Sequence, residues 1–200
     1  MVLGTGLGTG ITLGPIIGGT IVIVGAIWSV VTYNRFITLQ NNVENAWSDI
    51  DVLLKQRADE IPNIIQTVKK YAEHEKEIFE HVSDKRAEMI GAESPQEKAQ
   101  ASAGLESALK SLFAVAENYP DLKADKNFRQ LQDRITGIET QIATQRKQYN
   151  NVVTQYNTKQ DQFPSFIVAG FMSSVEREDL FKVDRETHTA ENAYSSLDKL

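Results

Sequence analysis

The first 34 residues carry no charged side chain, so every charged side chain in this 200-residue chain lies from Arg35 onward. Within the charge-free part, Ile11 to Thr32 (ITLGPIIGGTIVIVGAIWSVVT) is a run of 22 uncharged, mostly apolar residues. As a helix it is about 33 Å long, against a bilayer core of about 30 Å. No other feature restricts the fold so strongly, and it reads as a transmembrane helix. A cleaved signal peptide wants a basic n-region, a shorter apolar core and a small-residue cleavage site, whereas no charge precedes this run. Trp28 and Tyr33 fall where aromatic rings favour the membrane–water interface. Arg35, Lys55 and Arg57 follow the span and nothing basic precedes it. The positive-inside rule therefore places the N-terminus outside and the helical body on the cytoplasmic side of the cell membrane.

Eight of the twelve glycines fall in the first 25 positions. The stretch GTGLGTG at 4–10 is neither G-x-G-x-x-G after a strand nor a phosphate loop ending in G-K-[ST], and it reads as a flexible extramembrane leader. Gly14 and Gly18 form a G-x-x-x-G that lets membrane helices approach closely; alternatively, glycine is simply common in such helices. Pro15 sets the regular helix to begin near there. The expected organisation is a leader over 1–10, a transmembrane helix over 11–33, a helical bundle over 34–183 and a mobile polar tail over 184–200.

The apolar content of 41% supports one modest domain plus an appendage. The chain has no cysteine, which excludes disulfides, thiolate metal sites, a cysteine nucleophile and an acylated-cysteine anchor. A net charge of -6 with Lys and Arg scattered among Asp and Glu offers no basic face for phosphates, so nucleic acid is not an expected partner.

From Val43 the apolar positions recur at threes and fours: Val43, Trp47, Ile50, Leu54, Ile61, Ile64, Val68 and Tyr71. That is a helical seam, and Arg57 occupies one of its inward positions. Pro62 lies inside the repeat, where it removes the hydrogen bond to the Ala58 carbonyl, so the helix is expected to bend and continue. A second seam, Phe128, Leu131, Ile135, Ile138, Ile142, Tyr149, Val152 and Tyr156, is interrupted by Gln145 at one inward position. It predicts a helix from about Asp125 to Gln162, about 55 Å long. Shorter seams at Ile78, Val82 and Met89 and at Leu105, Leu109, Leu112, Ala116 and Tyr119 are joined by Gly91 and the capping box Ser94-Pro95-Gln96-Glu97. The class is all-α. A turn near Glu73-His74 gives four helices; a continuous helix to Met89 gives three.

The residues Tyr33-Asn34, Asn45 to Ile65 (NAWSDIDVLLKQRADEIPNII), Val68 to Glu75 (VKKYAEHE), Leu112 to Ala124 (LFAVAENYPDLKA), Phe128-x-x-Leu131-Gln132, and the dipeptides Tyr149-Asn150 and Tyr156-Asn157 ahead of Phe163-Pro164 closely resemble the LemA family. Many members have glycine at the position of Lys70, where this chain departs. The resemblance implies an N-terminal membrane helix with a short outside tail, followed by an antiparallel four-helix bundle, and it connects the chain with relatives associated with magnetosome membranes. It implies no reaction. Unequal helix lengths predict four helices in the membrane-distal half but only two in the proximal half, and two helices cannot bury a seam on all sides. Either the tail Phe163, Phe166, Ile167, Val168, Phe171 and Met172 covers the proximal half, or neighbouring copies do.

Chemistry-bearing constellations are sparse. A di-iron bundle needs E-x-x-H motifs, which do not occur around His74, His81 or His188, and His74-Glu75 fails the zinc-protease pattern at Ile78. His74 and His81 are two helical turns apart, too far to share a metal directly. Asp49 and Asp51 face different directions, so they make no acid–base pair. No enzyme activity and no cofactor are expected. Arg57 either snorkels to the surface or meets a carboxylate from another helix and fixes the register, and Gln145 could serve similarly. Tyr149-Asn150 and Tyr156-Asn157, seven apart, place two tyrosines in one stripe with two asparagines alongside: core packing with hydroxyls at the rim, or a strip that binds a partner. The sequence thus points to a single-pass scaffold or adaptor that self-associates. The other reading is a sensor in which bending at Pro62 couples the membrane helix to the bundle.

Overall fold

The computed structural model describes residues 13–172 and 176–182. The expected leader over 1–10, the expected tail over 184–200 and His188 lie outside the described residues. The helices are α1 (Leu13–Lys69), α2 (Lys76–Gly91), α3 (Pro95–Ala116), α4 (Pro120–Ala124), α5 (Lys126–Asp161) and α6 (Ser165–Phe171). No strand occurs among the described residues. The all-α class and the antiparallel four-helix bundle follow as the seams require.

The 57 residues of α1 make a rod about 86 Å long. From Ile16 to Val31 its aliphatic side chains point outward with nothing packed on them, and this part is long and apolar enough to cross a membrane. Thr32 and Phe36 are its first buried residues. From there Val43, Ile50, Leu54, Ile61, Ile64 and Val68 enter the core at the spacing of a single apolar stripe. The helix runs unbroken through Pro62.

The ambiguous joint resolves as a turn. The amides of Tyr71 and Ala72 both donate to the Val68 carbonyl, which stops α1, and α2 starts at Lys76. Ala72 is buried there, whereas Tyr71 is exposed. The seam position assigned to Tyr71 therefore lies beyond the helix, and its hydroxyl donates instead to Asp125 Oδ2 at 2.8 Å. Across the same joint Tyr119 donates to Glu75 Oε1 at 3.0 Å. The α3 start is the expected capping box: Glu97 N–H donates to Ser94 Oγ and Ser94 N–H to Glu97 Oε2, both at 3.2 Å. Asp125 caps α5 by accepting from Phe128 N–H at 2.9 Å.

Helix α5 returns antiparallel along α1 in the most extensive helix–helix contact of the molecule, and the α2–α3 hairpin packs on α1. That hairpin reaches Asp51, where Lys98 forms an ion pair, and Trp47, whose ring centroid lies 5.9 Å from the same ammonium. Nearer the apolar end only α1 and α5 remain as long helices. On α5 the buried series is Phe128, Ile135, Ile138, Ile142, Tyr149, Val153 and Tyr156. Val153 replaces Val152 as the inward residue, because the stripe drifts around a straight helix of 3.6 residues per turn. The cover of this two-helix half also differs from expectation. Of the expected tail, Met172 packs on the core and Val168 is half-buried, but Phe163, Phe166, Ile167 and Phe171 stay exposed; Ala169, which was not among the residues expected, also packs on the core. The cover comes from Phe181, which is fully buried, with Leu180 packed beside it.

Candidate interaction strip on the α1–α5 hairpin

The two Tyr-Asn dipeptides hold residues 176–182 by its main chain. Asn150 donates from Nδ2 to the Phe181 carbonyl (3.2 Å) and accepts at Oδ1 from the Phe181 amide (2.9 Å). Asn157 does the same to Glu178, at 2.9 Å to its carbonyl and 3.1 Å from its amide. Gln160 Nε2 donates to the Glu176 carbonyl at 2.9 Å, and the Tyr149 hydroxyl to the Asp179 carbonyl at 3.0 Å. Seven helical residues rise about 10.5 Å. The three residues from Glu178 to Phe181 cover that distance only near full extension, about 10 Å. The segment therefore runs extended and antiparallel to α5, and the helix repeat matches its main-chain spacing.

A single side chain fixes the register of this segment. Phe181 enters a slot between Trp47 on α1 (ring centroids 6.0 Å apart) and the Arg146 guanidinium, 4.7 Å above its ring. Trp47 also packs on Tyr149, at 5.8 Å, and Tyr156 meets Phe36 edge-on at 6.5 Å. The tyrosines are thus core residues, as one sequence reading had it, while the asparagines alongside form the strip. Burial pushes the Tyr149 hydroxyl up to about 12. Burial, with Glu44 nearby, also raises the Glu178 carboxyl above its ordinary value.

The second polar locus lies in the four-helix half. Arg57 is 1% exposed, so it does not snorkel to water. Its Nη2 donates to Ser102 on α3, to Oγ at 2.8 Å and to the carbonyl at 3.2 Å. Its Nη1 lies 4.0 Å from Glu139 Oε1 on α5. One side chain of α1 thereby bridges α3 and α5. Burial lowers the Arg57 pKa, opposed by Glu139 and Glu106. Burial also raises Glu139 despite the adjacent cation. Five residues along, Pro62 leaves the Ala58 carbonyl without its helical donor, and Arg86 Nε on α2 supplies one at 2.8 Å. This explains how a proline sits inside a packed helix: a neighbouring helix satisfies the freed acceptor.

Gln145 is half-buried beside the half-buried Arg146, and it is Arg146 that reaches the Phe181 slot. Gly14 and Gly18 lie on the uncovered part of α1, with nothing near the place a Cβ would occupy. His74 and His81 are exposed, and the described residues contain no group of three or more His, Asp or Glu side chains placed to hold a metal ion. Sequence reasoning missed Trp47 as a binding residue, along with Arg86, Ser102, Glu139 and the whole 176–182 segment. The available signal was an asparagine directly after each of two inward tyrosines in mid-helix, where asparagine's propensity is poor.

The comparisons with known proteins agree with this architecture. Magnetosome protein MamQ 2 of Paramagnetospirillum magneticum is 26% identical over 75% of this chain and 64% of its own length. Magnetosome protein MamQ of Magnetospirillum gryphiswaldense is 25% identical over 66% of this chain and 58% of its own length. Protein LemA of Metamycoplasma hominis is 28% identical over 63% of this chain and 58% of its own length. The chain thus covers less than two thirds of each of these relatives. The LemA family model matches residues 46–193, which takes in α2 to α6, most of the bundle part of α1 and the clasped segment, and the chain belongs to the LemA family.

Proposed function

We propose that this protein is a membrane-anchored, self-associating scaffold or adaptor, with its span over 11–33 and its helical body on the cytoplasmic side. The observation that carries the reading is the asparagine strip. Asn150 and Asn157 each engage both main-chain groups of one residue, so the strip recognises an extended chain whatever its side chains, apart from one aromatic in the Trp47–Arg146 slot. A strip of this kind accepts the same segment from a neighbouring copy without any new contact, which is the route to self-association. The open Gly14–Gly18 face of α1 gives the spans a surface on which to pack. Arg57 fixes the register of α1 against α3 and α5. No cofactor enters this reading. The test is the mass of the particle extracted from the membrane with its lipids. More than one copy is expected, falling toward one in the double variant Asn150→Ala/Asn157→Ala. A strictly monomeric particle overturns self-association; a multimer that the double variant leaves intact overturns the role of the strip.

One observation favours the sensor reading. The Arg86 bond to the Ala58 carbonyl freed by Pro62 ties α2 directly to the rod that enters the membrane, so a displacement of α1 is passed to the α2–α3 hairpin. Spin labels at the exposed positions Val52 on α1 and Asp84 on α2, each paired with a label at the exposed Ala143 on α5, read that displacement. A separation that stays constant with and without a bound partner removes this reading.

A further inference from the structure

We propose that α6 is a second membrane-contacting element, an interfacial helix lying in the leaflet on the side of the helical body, next to the point where α1 emerges. The inference rests on the anchor reading of α1. The level of α6 follows from the antiparallel register. The pairs Phe36–Tyr156, Trp47–Tyr149 and Glu60–Arg134 place Asp161, the last residue of α5, beside α1 somewhere between Val31 and Arg35. That is where the charge-free stretch of α1 ends. The chain leaves α5 at Asp161, and by Glu176 it is back beside Gln160. Helix α6 therefore belongs to an excursion at the apolar end of the bundle, and it packs on both α5 and α1.

The faces of α6 are arranged the wrong way round for water. Ser165 is buried and Ala169 half-buried, whereas Phe166, Ile167 and Phe171 point outward, together with Phe163 in the preceding turn; Phe163 and Phe171 are 80% and 89% exposed. No charged residue occurs from Gln162 to Met172. A helix against water turns its large apolar side chains inward, and a contiguous exposed patch of this kind marks an interaction surface. Its continuity with the uncovered apolar surface of α1 identifies lipid as the occupant. Interfacial helices bury their apolar face about 5–10 Å into the headgroup boundary. Asp161 and Arg177, paired at 3.4 Å and well exposed, mark the polar rim beside the patch.

The absence of cysteine makes single-site labelling direct. The full chain is reconstituted into vesicles of phosphatidylcholine with phosphatidylglycerol, bearing an environment-sensitive fluorophore at one of three positions: Ile167→Cys in α6, Val22→Cys in the span, and Val52→Cys on the exposed face of α1, about 27 Å along the helix from Asn34. Lipids brominated at shallow or deep acyl positions serve as quenchers, with iodide as the aqueous quencher. The Ile167 label is expected to be quenched by shallow bromines and shielded several-fold from iodide relative to Val52. Ile167 behaving like Val52 while Val22 is quenched by deep bromines overturns the inference and leaves the anchor standing. Failure at Val22 overturns the anchor reading and this inference with it. A label at Ile167 shielded from iodide, untouched by bromines and cross-linking between copies assigns the patch to a second copy instead.

Discussion

The membrane-distal and membrane-proximal halves of the bundle solve the same problem by different means. In the distal half, four helices surround a core of Leu54, Ile61, Leu105, Leu109, Leu112 and Ile135. Each helix is covered by others, and the polar groups inside are side chains or freed carbonyls met by arginines. In the proximal half, residues 176–182 close the seam of α1 and α5, with Ala169 and Met172 also packed on the core. Residues 176–182 are held by bonds to their main chain from Asn150, Asn157, Gln160 and Tyr149 and by one aromatic side chain. Side-chain burial spread over four helices makes a cooperative unit. A strap held at one slot and six hydrogen bonds is a local one, able to open while the rest stays folded.

The change that breaks this comparison most forcefully is Phe181→Ala. Emptying an aromatic site costs about 3–5 kcal/mol, and the six hydrogen bonds to the strap's main chain, at about 1 kcal/mol each, do not offset the entropy of ordering the segment without it. Hydrogen exchange at the Glu178 and Phe181 amides is expected to lose its protection, with the thermal midpoint of the four-helix half unchanged. A matching fall in that midpoint would show that the two halves unfold together. Arg57→Ala is the converse experiment. It strips two donors from Ser102 and leaves a cavity, for an expected loss of about 3 kcal/mol in global stability, while the strap amides keep their protection. Arg57→Met fills the volume without the buried charge and is expected to recover most of that stability. Recovery of stability without recovery of assembly would assign Arg57 to register.

Asn150→Ala and Asn157→Ala probe the strap from the other side. Each removes two hydrogen bonds, about 2 kcal/mol of local stability, and exchange at the strap amides measures it. Because the bonded groups are main chain, substituting Glu178 or Asp179 by Ala is expected to change docking far less than either asparagine variant does.

The fold was legible because helices announce themselves by periodicity. The α1 and α5 seams, the Ser94–Glu97 box and the start of a helix near Asp125 all lie in short windows of sequence. The turn at Glu73-His74 was not decidable from them, since nothing between Tyr71 and Ile90 breaks a helix. What settles it is Ala72 reaching the core and two tyrosines bonding across the joint, all of them tertiary facts. The strip was half legible. Two asparagines seven apart were visible, but a segment that pairs with a helix through its main chain carries no pattern of its own. Arg57 could be placed inward, yet its destination depended on Ser102 and Glu139, 45 and 82 positions away in the chain.

Pro62 and Arg86 offer a smaller and sharper test. Arg86→Met leaves the Ala58 carbonyl unpaired, at a cost of about 1–2 kcal/mol. In a Pro62→Ala background the residue-62 amide returns to that carbonyl, so the same Arg86→Met change is expected to cost less. The difference, on the order of 1 kcal/mol, is the coupling between the proline and α2, read from denaturant midpoints. Equal costs in both backgrounds would mean that Arg86 acts by packing alone.

Mild acid gives the smallest effect and the one most specific to the comparison, because the two halves titrate in opposite senses. In the distal half, several carboxyls are held below their ordinary values: Glu97 by the Glu93 and Ser94 amides, Asp125 by the Phe128 amide and Glu106 by Lys110. Groups shifted down contribute stability above their unfolded value and lose it as pH falls through the folded one. Glu139 alone opposes the trend there, raised by its own burial. In the strap, Glu178 is raised by burial. Its contribution is fully present below the ordinary carboxylate value and fades as pH rises through the folded one. Acidification is thus expected to slow exchange at the Phe181 amide, after correction for the intrinsic pH dependence, while the distal half loses stability. Tyr149 supplies the alkaline limb: its hydroxyl is pushed up to about 12, so the clasp loosens as pH climbs from about 10 toward that value. If Glu178→Gln abolishes the acid tightening and spares the alkaline loosening, the two limbs belong to the two groups named; if both limbs persist, the strap responds to the net charge of the whole molecule instead.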